Sequence, residues 1–364
     1  MCRKRPFFGG RRGVGSVFHG GDGRNALADG RRELEVVYNV DRILDAHTHL
    51  TGGESAGQIL ACLDAVGVEK AFVFAPMLNV QAHEITSDSM QDIRTHNDYC
   101  ADICSNAPER LLGFCTLNPM PALAGGDLDR AVDLNIEEAE RCYEELGLRG
   151  AGELVATGWY ADDPALERLW KKLAELGMYT VFHTGVFYDG RQSTYCRPAS
   201  FEGVRAAPGF KGHLAHVGYP WYDECIAMMK VTTGVFGQDP SAWDLKVDVS
   251  FGPAADYQLE VWQRSIDTLP PAMILYGTDT FWPIEPEEYR EQYLQPQLGL
   301  FETATTLGHI VGEGSPAREE YRNMIFFRNA YEHWQNAIKE PQRPRPSPGP
   351  SRPRTPIGAT HIDL

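Results

Sequence analysis

Short, continuously apolar runs alternate along the chain with longer segments whose apolar residues recur at helical spacing. The run RILDAH precedes AGQILACLDAVG, and KAFVFAP precedes a segment predicted to be helical across Asp88–Asn106. A strand buried on both faces of a parallel sheet is continuously apolar, so the short runs predict strands of this kind. The remaining predicted strands are RLLGFCTLNP, LRGAGELV, MYTVFH, KGHLAH, LKVDVSF and MILYGTD, in that order.

Eight strand–helix units of this kind predict an α/β fold, the (β/α)8 TIM barrel. They occupy about 290 residues, which suits the usual size of this fold. A doubly wound open sheet is the alternative, but no glycine-rich phosphate loop follows the first strand. The segment DPALERLWKKLAELG carries clear helix signals: Asp162 or Asp163 as N-cap, Pro164 in the first turn and Gly177 as C-cap.

The two ends of the chain differ in composition from the part between them. Residues 1–32 are rich in Gly and Arg and residues 339–364 in Pro and Arg, which predicts disordered tails around a catalytic barrel over residues 33–338. Both tails are basic, although the whole chain has a net charge of −16. The barrel is therefore strongly acidic, which argues against nucleic acid as the main partner.

Composition also bears on the location of the protein. No apolar run reaches the length needed to span a membrane. The 8 cysteines include no CxxC pair and are typical of reduced thiols, which predicts a cytoplasmic protein. A small-molecule substrate is then the expected partner.

Ionisable residues end five of the predicted strands. An HxH pair is by itself more often solvated or structural than metal-binding, but here 4 of the 11 histidines fall at strand ends. Since the C-terminal ends of barrel strands form the active site, we expect these side chains to meet at one rim. They are His47 and His49 after the first strand, Glu153 after the fourth, His183 after the fifth, His216 after the sixth and Asp279 after the eighth.

The sequence resembles the metal-dependent amidohydrolase superfamily, in the amidohydrolase 2 branch that includes relatives of aminocarboxymuconate-semialdehyde decarboxylase. The resemblance covers roughly Asp41 to Trp334 and rests on DAHTHL, RLLGFCTLNP, YTVFHTG, HLAHVGYPWYDECIAM, ILYGTDTFWP and MIFFRNAYEHW. In this branch the first-strand histidines, the fifth-strand histidine and the eighth-strand aspartate hold a divalent metal. The resemblance thus implies a site of His47, His49, His183 and Asp279. Branch members often dimerise, so a homodimer is also implied.

The expected metal is zinc, as one or two ions, with manganese as an alternative, because neutral imidazoles and a carboxylate suit these ions. Such an ion lowers the pKa of bound water to about 7. Asp279 can then accept the proton of the water and pass it to a leaving group. His216 either polarises the substrate carbonyl or holds a second metal, and the resemblance leaves both roles open.

Glu153 decides between one ion and two. Superfamily members with a carboxylate after the fourth strand generally use it to bridge two metals, in which case His183 and His216 serve the second ion. The alternative is a buried glutamate paired with Arg149 or with His183.

The loop after the fifth strand is the expected specificity element, because loops at this face of a barrel contact the substrate. Arg191 could clamp a substrate carboxylate, while Tyr188, Tyr195 and Trp282 could line an aromatic-sized pocket. For Arg197 a structural role beside the following helix is favoured.

Three functions are consistent with these observations. The first is a metal-dependent hydrolase that cleaves an amide, ester or lactone bond of a small molecule. The second is a metal-dependent decarboxylase, a lyase, that acts on a small and possibly aromatic carboxylic acid. The third is a non-catalytic binding barrel, which is least expected because a degenerate relative usually loses at least one of the expected polar residues.

Overall fold

A ring of parallel strands forms the centre of this computed structural model, which describes residues 40–76, 78–79, 84–85, 89–187, 192–232, 243–252, 255–308 and 316–339. The two predicted tails lie outside these residues, except for Lys339. The strands are β1 Leu44–His49, β2 Lys70–Phe74, β5 Leu111–Cys115, β6 Gly150–Leu154, β7 Tyr179–Phe182, β8 Phe210–Leu214, β9 Trp243–Asp248, β10 Ile274–Leu275 and β11 Thr280–Phe281, with a small antiparallel hairpin of β3 Leu78–Asn79 and β4 Glu84–Ile85.

The short strands β10 and β11 close the ring of strands. Neighbours along the chain pair in parallel from β1 to β10, and β11 pairs in parallel with β1. Between β10 and β11 the chain stays bonded to β1, since Ala46 N donates to Tyr276 O at 3.0 Å and Asp279 N donates to His47 O at 2.9 Å. The two short strands are therefore the ends of one barrel strand, predicted from MILYGTD, and the predicted (β/α)8 barrel is confirmed.

Helices follow the strands on the outside of the ring. The N-cap prediction made for DPALERLWKKLAELG is correct for Asp163, whose carboxylate accepts from Ala165 N at 2.9 Å at the start of a 3₁₀ turn. Gly177 follows that helix with φ 67°. The helices are α1 Ala56–Val66, α2 Met90–Cys104, α3 Leu128–Glu144, α4 Glu167–Glu175, α5 Tyr222–Thr232, α6 Ala255–Thr268, α7 Pro286–Glu288, α8 Gln295–Leu307, α9 Pro316–Asn323 and α10 Asn329–Lys339.

No helix in the described ranges combines the length and the apolar character needed to cross a bilayer. The seven described cysteines are free thiols.

The C-terminal helix α10 packs against the apolar interior of the barrel. Trp334 is fully buried in a cluster with side chains of β1, β2, β5, β7 and β10, and its ring stacks on Phe72 at 6.2 Å between centroids. The Lys70 ammonium lies 4.8 Å from the centre of the Trp334 ring. Because strand interiors and helix share one core, α10 contributes directly to barrel stability.

We predict that Trp334→Ala lowers the free energy of unfolding by about 3–5 kcal/mol, since it removes a buried indole and leaves a cavity. Chemical denaturation monitored by circular dichroism measures this. The matched control is Gln335→Ala on the exposed side of α10, which should change the stability by less than about 0.5 kcal/mol. Equal effects of the two substitutions would contradict the packing role of α10.

Candidate metal centre

The six predicted ligand residues come together at the C-terminal rim of the barrel. The Nε2 atoms of His47 and His49 lie 3.0 Å apart. Oδ1 of Asp279 lies 3.3 Å from Nε2 of His47 and 3.1 Å from Nε2 of His49. These three donor atoms, which come from β1 and the end of the last barrel strand, form the tightest group of the cluster.

Glu153 stands between two pairs of histidines. Its Oε2 lies 3.8 Å from His47 Nε2 and 3.7 Å from His49 Nε2. Its Oε1 lies 3.0 Å from His183 Nδ1 and 3.5 Å from His216 Nε2. Each carboxylate oxygen therefore faces a different pair of imidazoles, which is the arrangement expected of a bridging ligand.

The alternative partner considered for Glu153, Arg149, lies elsewhere. Arg149 precedes β6 at its N-terminal end, whereas Glu153 is near the C-terminal end of the same strand. His183, the other alternative, does contact Glu153, through Nδ1.

Irregular strand pairing orients the ligand side chains of β1 and β6. The register of β1 against β2 shifts between Asp45 and Thr48, and that of β6 against β7 shifts between Ala151 and Leu154. A bulge of this kind changes which face a side chain points to, and it is common next to active sites. Thus His47 and His49 turn into the rim and pack edge-on against Phe74, with ring centroids 5.0 and 5.2 Å away.

Two of the site residues have left-handed backbone conformations, with φ 59° at His216 and φ 61° at Asp279. Side chains other than glycine rarely adopt this region, and such residues concentrate at functional sites. Hydrogen bonds hold both in place, since His216 N donates to Asp248 Oδ1 at 3.0 Å and Asp279 N donates to His47 O. Gly252 makes room for the His216 ring, because a Cβ there would lie 2.3 Å from Cγ of His216.

Asp248, at the end of β9, organises the centre although sequence reasoning did not select it. Its Oδ2 accepts from His47 Nδ1 at 2.9 Å and lies 3.0 Å from His213 Nε2. Its Oδ1 accepts from the backbone N–H groups of His216 and Ser250, each at 3.0 Å, and from the Ser250 hydroxyl. The signal in the sequence is the single acid inside the apolar run LKVDVSF.

Asp45 is a second buried acid that sequence reasoning missed, and it joins β1 to the last barrel strand. It accepts from His47 N at 3.0 Å, from Thr278 N at 3.1 Å, from Thr278 Oγ1 at 2.6 Å and from Tyr289 Oη at 2.6 Å. Burial outweighs these hydrogen bonds and raises the pKa of Asp45 to about 6. Asp45 therefore fixes the backbone on both sides of the His47–Asp279 contact.

The charges of the cluster stabilise one another in a largely buried site. Burial opposes ionisation of Asp279, but hydrogen bonding and charge from His47 outweigh it and hold the pKa of Asp279 below its usual range. Burial likewise opposes ionisation of Glu153, but the charges of His183 and His47 lower its pKa well below the usual value. Both carboxylates are therefore ionised at neutral pH.

The donor set fits a divalent cation. Two facing Nε2 atoms at 3.0 Å cannot both be bare acceptors unless a proton or a cation lies between them. Ligands bound about 2.0–2.1 Å from a tetrahedral ion are about 3.3 Å apart, close to the 3.0–3.3 Å among His47, His49 and Asp279. Nε2 of His183 is a further buried nitrogen without a hydrogen-bond partner in the described part of the chain.

Three groups of donors in the described residues share His47, and in each the ligand atoms all lie within 4.8 Å of one another. Two of these groups belong to the rim cluster, namely His47 with His49 and Asp279, and His47 with Glu153 and His216. The third joins His47 to His213 and Asp248.

The predicted substrate residues are less well placed by the structure. Tyr188 and Arg191 lie outside the described residues. The Tyr195 ring lies against Tyr160, with centroids 4.7 Å apart. Trp282 is 1% exposed and stacks on Tyr289 in the barrel core. A substrate role for these four residues stays a prediction.

Arg197 has the structural surroundings favoured from the sequence. It forms an ion pair with Glu224 on α5 and lies over the Trp221 ring, with Cζ 5.0 Å from the centroid.

A family model described as amidohydrolase matches residues 44–335 of the chain. A search of curated protein sequences returns no match. Solved structures with the same fold include a 2,6-dihydroxybenzoate decarboxylase from Rhizobium, which is 16% identical with a TM-score of 0.53 over 82% of this chain and 99% of the other.

Two further structures are similar. One is a dihydroxybenzoic acid decarboxylase from a Polaromonas species with bound manganese and the inhibitor 2-nitroresorcinol, which is 16% identical with a TM-score of 0.51 over 82% of this chain and 99% of the other. The second is a 4-oxalomesaconate hydratase from Rhodopseudomonas palustris, which is 15% identical with a TM-score of 0.50 over 82% of this chain and 98% of the other.

We predict that Asp248→Asn weakens metal affinity by about 10–100-fold, because the substitution removes the buried charge that orients His47 and makes it a stronger ligand. Equilibrium competition with a chromogenic chelator measures this. The control is Asp244→Asn, four residues earlier on β9, where the carboxylate pairs with Lys246 rather than with a site histidine. Loss of affinity in both variants, or in neither, would contradict the role given to Asp248.

Proposed function

The chain belongs to the amidohydrolase family of metal-dependent enzymes, and on this premise we propose that it hydrolyses an amide, ester or lactone bond of a small molecule. The position of Glu153 between two pairs of imidazoles carries this proposal, because a bridging carboxylate suits a two-ion hydrolytic centre. The family match leaves the non-catalytic barrel without support.

Six residues would hold the ions. His47, His49 and Asp279 would hold the first, and His183 and His216 the second, with Glu153 shared between them. Zinc is the metal proposed, and manganese is the alternative because a solved relative binds it. A divalent ion at this place lowers the pKa of water and polarises a carbonyl oxygen.

Asp279 is proposed as the residue that moves the proton. Its side chain is 22% exposed while the histidines beside it are almost fully buried, so one carboxylate faces both the donors and the open rim. Its low pKa keeps it ionised at neutral pH and able to accept a proton from the attacking water. The same carboxylic acid then donates that proton to the leaving group, as general acid–base catalysis requires.

His216 is proposed to act on the substrate oxygen where only one ion binds. Its Nδ1 is fixed 2.8 Å from the Ser250 hydroxyl, so its Nε2 faces the centre. Burial lowers the pKa of His216, but hydrogen bonding to Glu153 and the charge of Asp279 outweigh burial and raise it overall, which favours the form protonated on both ring nitrogens. A donor at this position stabilises negative charge on a carbonyl oxygen.

Decarboxylation is the second candidate. His47, His49 and Asp279 form a group of three close donors without Glu153, which could hold one ion. Two solved relatives with this fold are decarboxylases of dihydroxybenzoic acids. In that case the substrate is a small aromatic carboxylic acid, and the predicted contacts of Arg191, Tyr188, Tyr195 and Trp282 are those of a carboxylate clamp and an aromatic pocket. Two further proposals rest on the sequence alone: a cytoplasmic location, from the cysteine pattern, and a homodimer, from the family resemblance.

The reaction itself separates the two candidates. We predict that metal-loaded enzyme, screened against small amides, esters and lactones, releases a product carboxylate that carries ¹⁸O from labelled water. The parallel assay measures carbon dioxide released from aromatic hydroxy acids. Carbon dioxide release without ¹⁸O incorporation would overturn the hydrolase proposal in favour of the lyase.

We predict that Glu153→Gln halves the metal content from two equivalents to one, because the amide cannot bridge two cations. Elemental analysis of untagged protein measures this. The control is Glu54→Gln, a buried carboxylate on the same side of the barrel that accepts from Thr51 N at 2.9 Å and Gly53 N at 3.0 Å. Unchanged metal content in the Glu153 variant would make that residue structural.

A further inference from the structure

A second polar site lies at the opposite end of the barrel from the metal centre. A cavity of about 140 Å³ opens there, between the N-terminal ends of three strands and helix α10. Arg149 directly precedes β6, Tyr179 begins β7, and Lys211 is the second residue of β8. His333 and Asn336 of α10 add two further polar side chains to the cavity wall.

The same three strands thus serve two sites. Their C-terminal ends lead to Glu153, His183 and His216, and their N-terminal ends form the cavity wall. Glu153 lies four positions after Arg149 along extended chain, which corresponds to about 13 Å. The cavity is therefore distinct from the metal centre.

Arg149 is a buried cation without a carboxylate. It is 7% exposed, and its Nη1 donates to the carbonyl oxygens of Tyr143 at 2.9 Å and Leu148 at 3.2 Å. Its Cζ lies 4.3 Å from the centre of the Tyr143 ring. Nε is buried and has no hydrogen-bond partner within the described ranges, and no carboxylate there forms an ion pair with this guanidinium. Buried arginines normally have such a partner, since an unpaired buried charge is costly.

A second cation lines the cavity, and a third acts on its wall residue His333. Lys211 lines it and forms no ion pair with any described residue, while Lys246 lies 2.9 Å from Asp244. Burial raises the pKa of Asp244, but nearby basic groups, with Lys246 as the strongest, act against burial and lower it overall. Two lysines, Lys246 and Lys211, therefore act on the carboxylate of Asp244, in a chain whose net charge is −16.

The same positive charges affect the pKa of His333. It is buried, and its ring lies against Tyr179 with centroids 4.2 Å apart. Burial and the charge of Lys246 lower the pKa of His333 to about 3, with a smaller contribution from Lys211. The imidazole is therefore neutral at physiological pH, and its N–H is a hydrogen-bond donor that adds no further positive charge.

We propose that this cavity binds a small oxyanion, held by Arg149 and Lys211 with hydrogen bonds from His333 and Asn336. An anion there would supply the negative charge that Arg149 lacks, and the charge-assisted hydrogen bonds would offset the cost of burying the guanidinium. The volume equals that of several water molecules, which suits a phosphate, a sulfate or the carboxylate of a small acid. Asn336 is exposed, so the ligand can enter from solvent.

The test titrates inorganic phosphate into metal-loaded full-length protein by isothermal titration calorimetry, at ionic strength held constant with chloride. Wild type should bind phosphate at the cavity, and Arg149→Met should weaken that binding at least tenfold. Lys211→Met is the second variant, on a partly exposed side chain that can be replaced without opening the core. The matched control is Arg168→Met, an exposed arginine on α4 paired with Asp129 and Asp133, which should bind as wild type does.

Acetate titrated in parallel separates the two sources of oxyanion. Tighter binding of phosphate assigns a tetrahedral anion, and tighter binding of acetate assigns a carboxylate. No detectable binding of either anion at about 10 mM would overturn the proposal. So would phosphate affinity that is equal in wild type, Arg149→Met and Lys211→Met, because the anion would then bind elsewhere, for example at the metal centre.

Discussion

The acceptor capacity of one buried carboxylate, Asp248, is the constraint on which the metal centre depends. Its two oxygens accept hydrogen bonds from the ring of His47, from the backbone N–H of His216, and from the backbone N–H and hydroxyl of Ser250. They also contact the ring of His213. A buried carboxylate is stable only when its lone pairs are satisfied, so these groups have little freedom to move. The orientation of His47 and the strained backbone of His216 therefore have one common cause. The contacts continue from His213 Nδ1 to the Tyr179 hydroxyl, 3.2 Å away, so one polar chain passes through the barrel interior.

The rest of the centre follows from bringing ring nitrogens and carboxylates together around that anchor. The bulge in β1 turns two histidines to the same rim, and the register shift in β6 does the same for Glu153. Four imidazoles and two carboxylates that are largely buried are stable only when positive charge lies among them. Protons can supply it, as the raised pKa of His216 indicates, and a divalent ion supplies it with bonds to the same atoms. The donor geometry and the family match thus agree on a metal-dependent enzyme.

The sequence predicted the barrel and its C-terminal rim because both depend on local patterns. Continuous apolar runs identify buried parallel strands, and ionisable residues that end such runs must meet at one edge. The roles of Asp248 and Asp45 could not be predicted, because most of their partners are groups far away in sequence that no spacing rule connects to them. The Arg149 alternative for Glu153 failed for a geometric reason, since residues four apart on one strand lie at opposite ends of it. Tyr188 and Arg191 lie outside the described residues, so the substrate contacts rest on sequence.

Anomalous X-ray scattering from crystals of the metal-loaded protein tests the central claim most directly, because it locates each ion among its ligands. The account predicts one peak among His47, His49 and Asp279 and a second beside His183 and His216, with Glu153 between them. A peak beside His213 and Asp248, which together with His47 form the third group of close donors, would contradict the account. So would the absence of any peak within the cluster at the C-terminal rim.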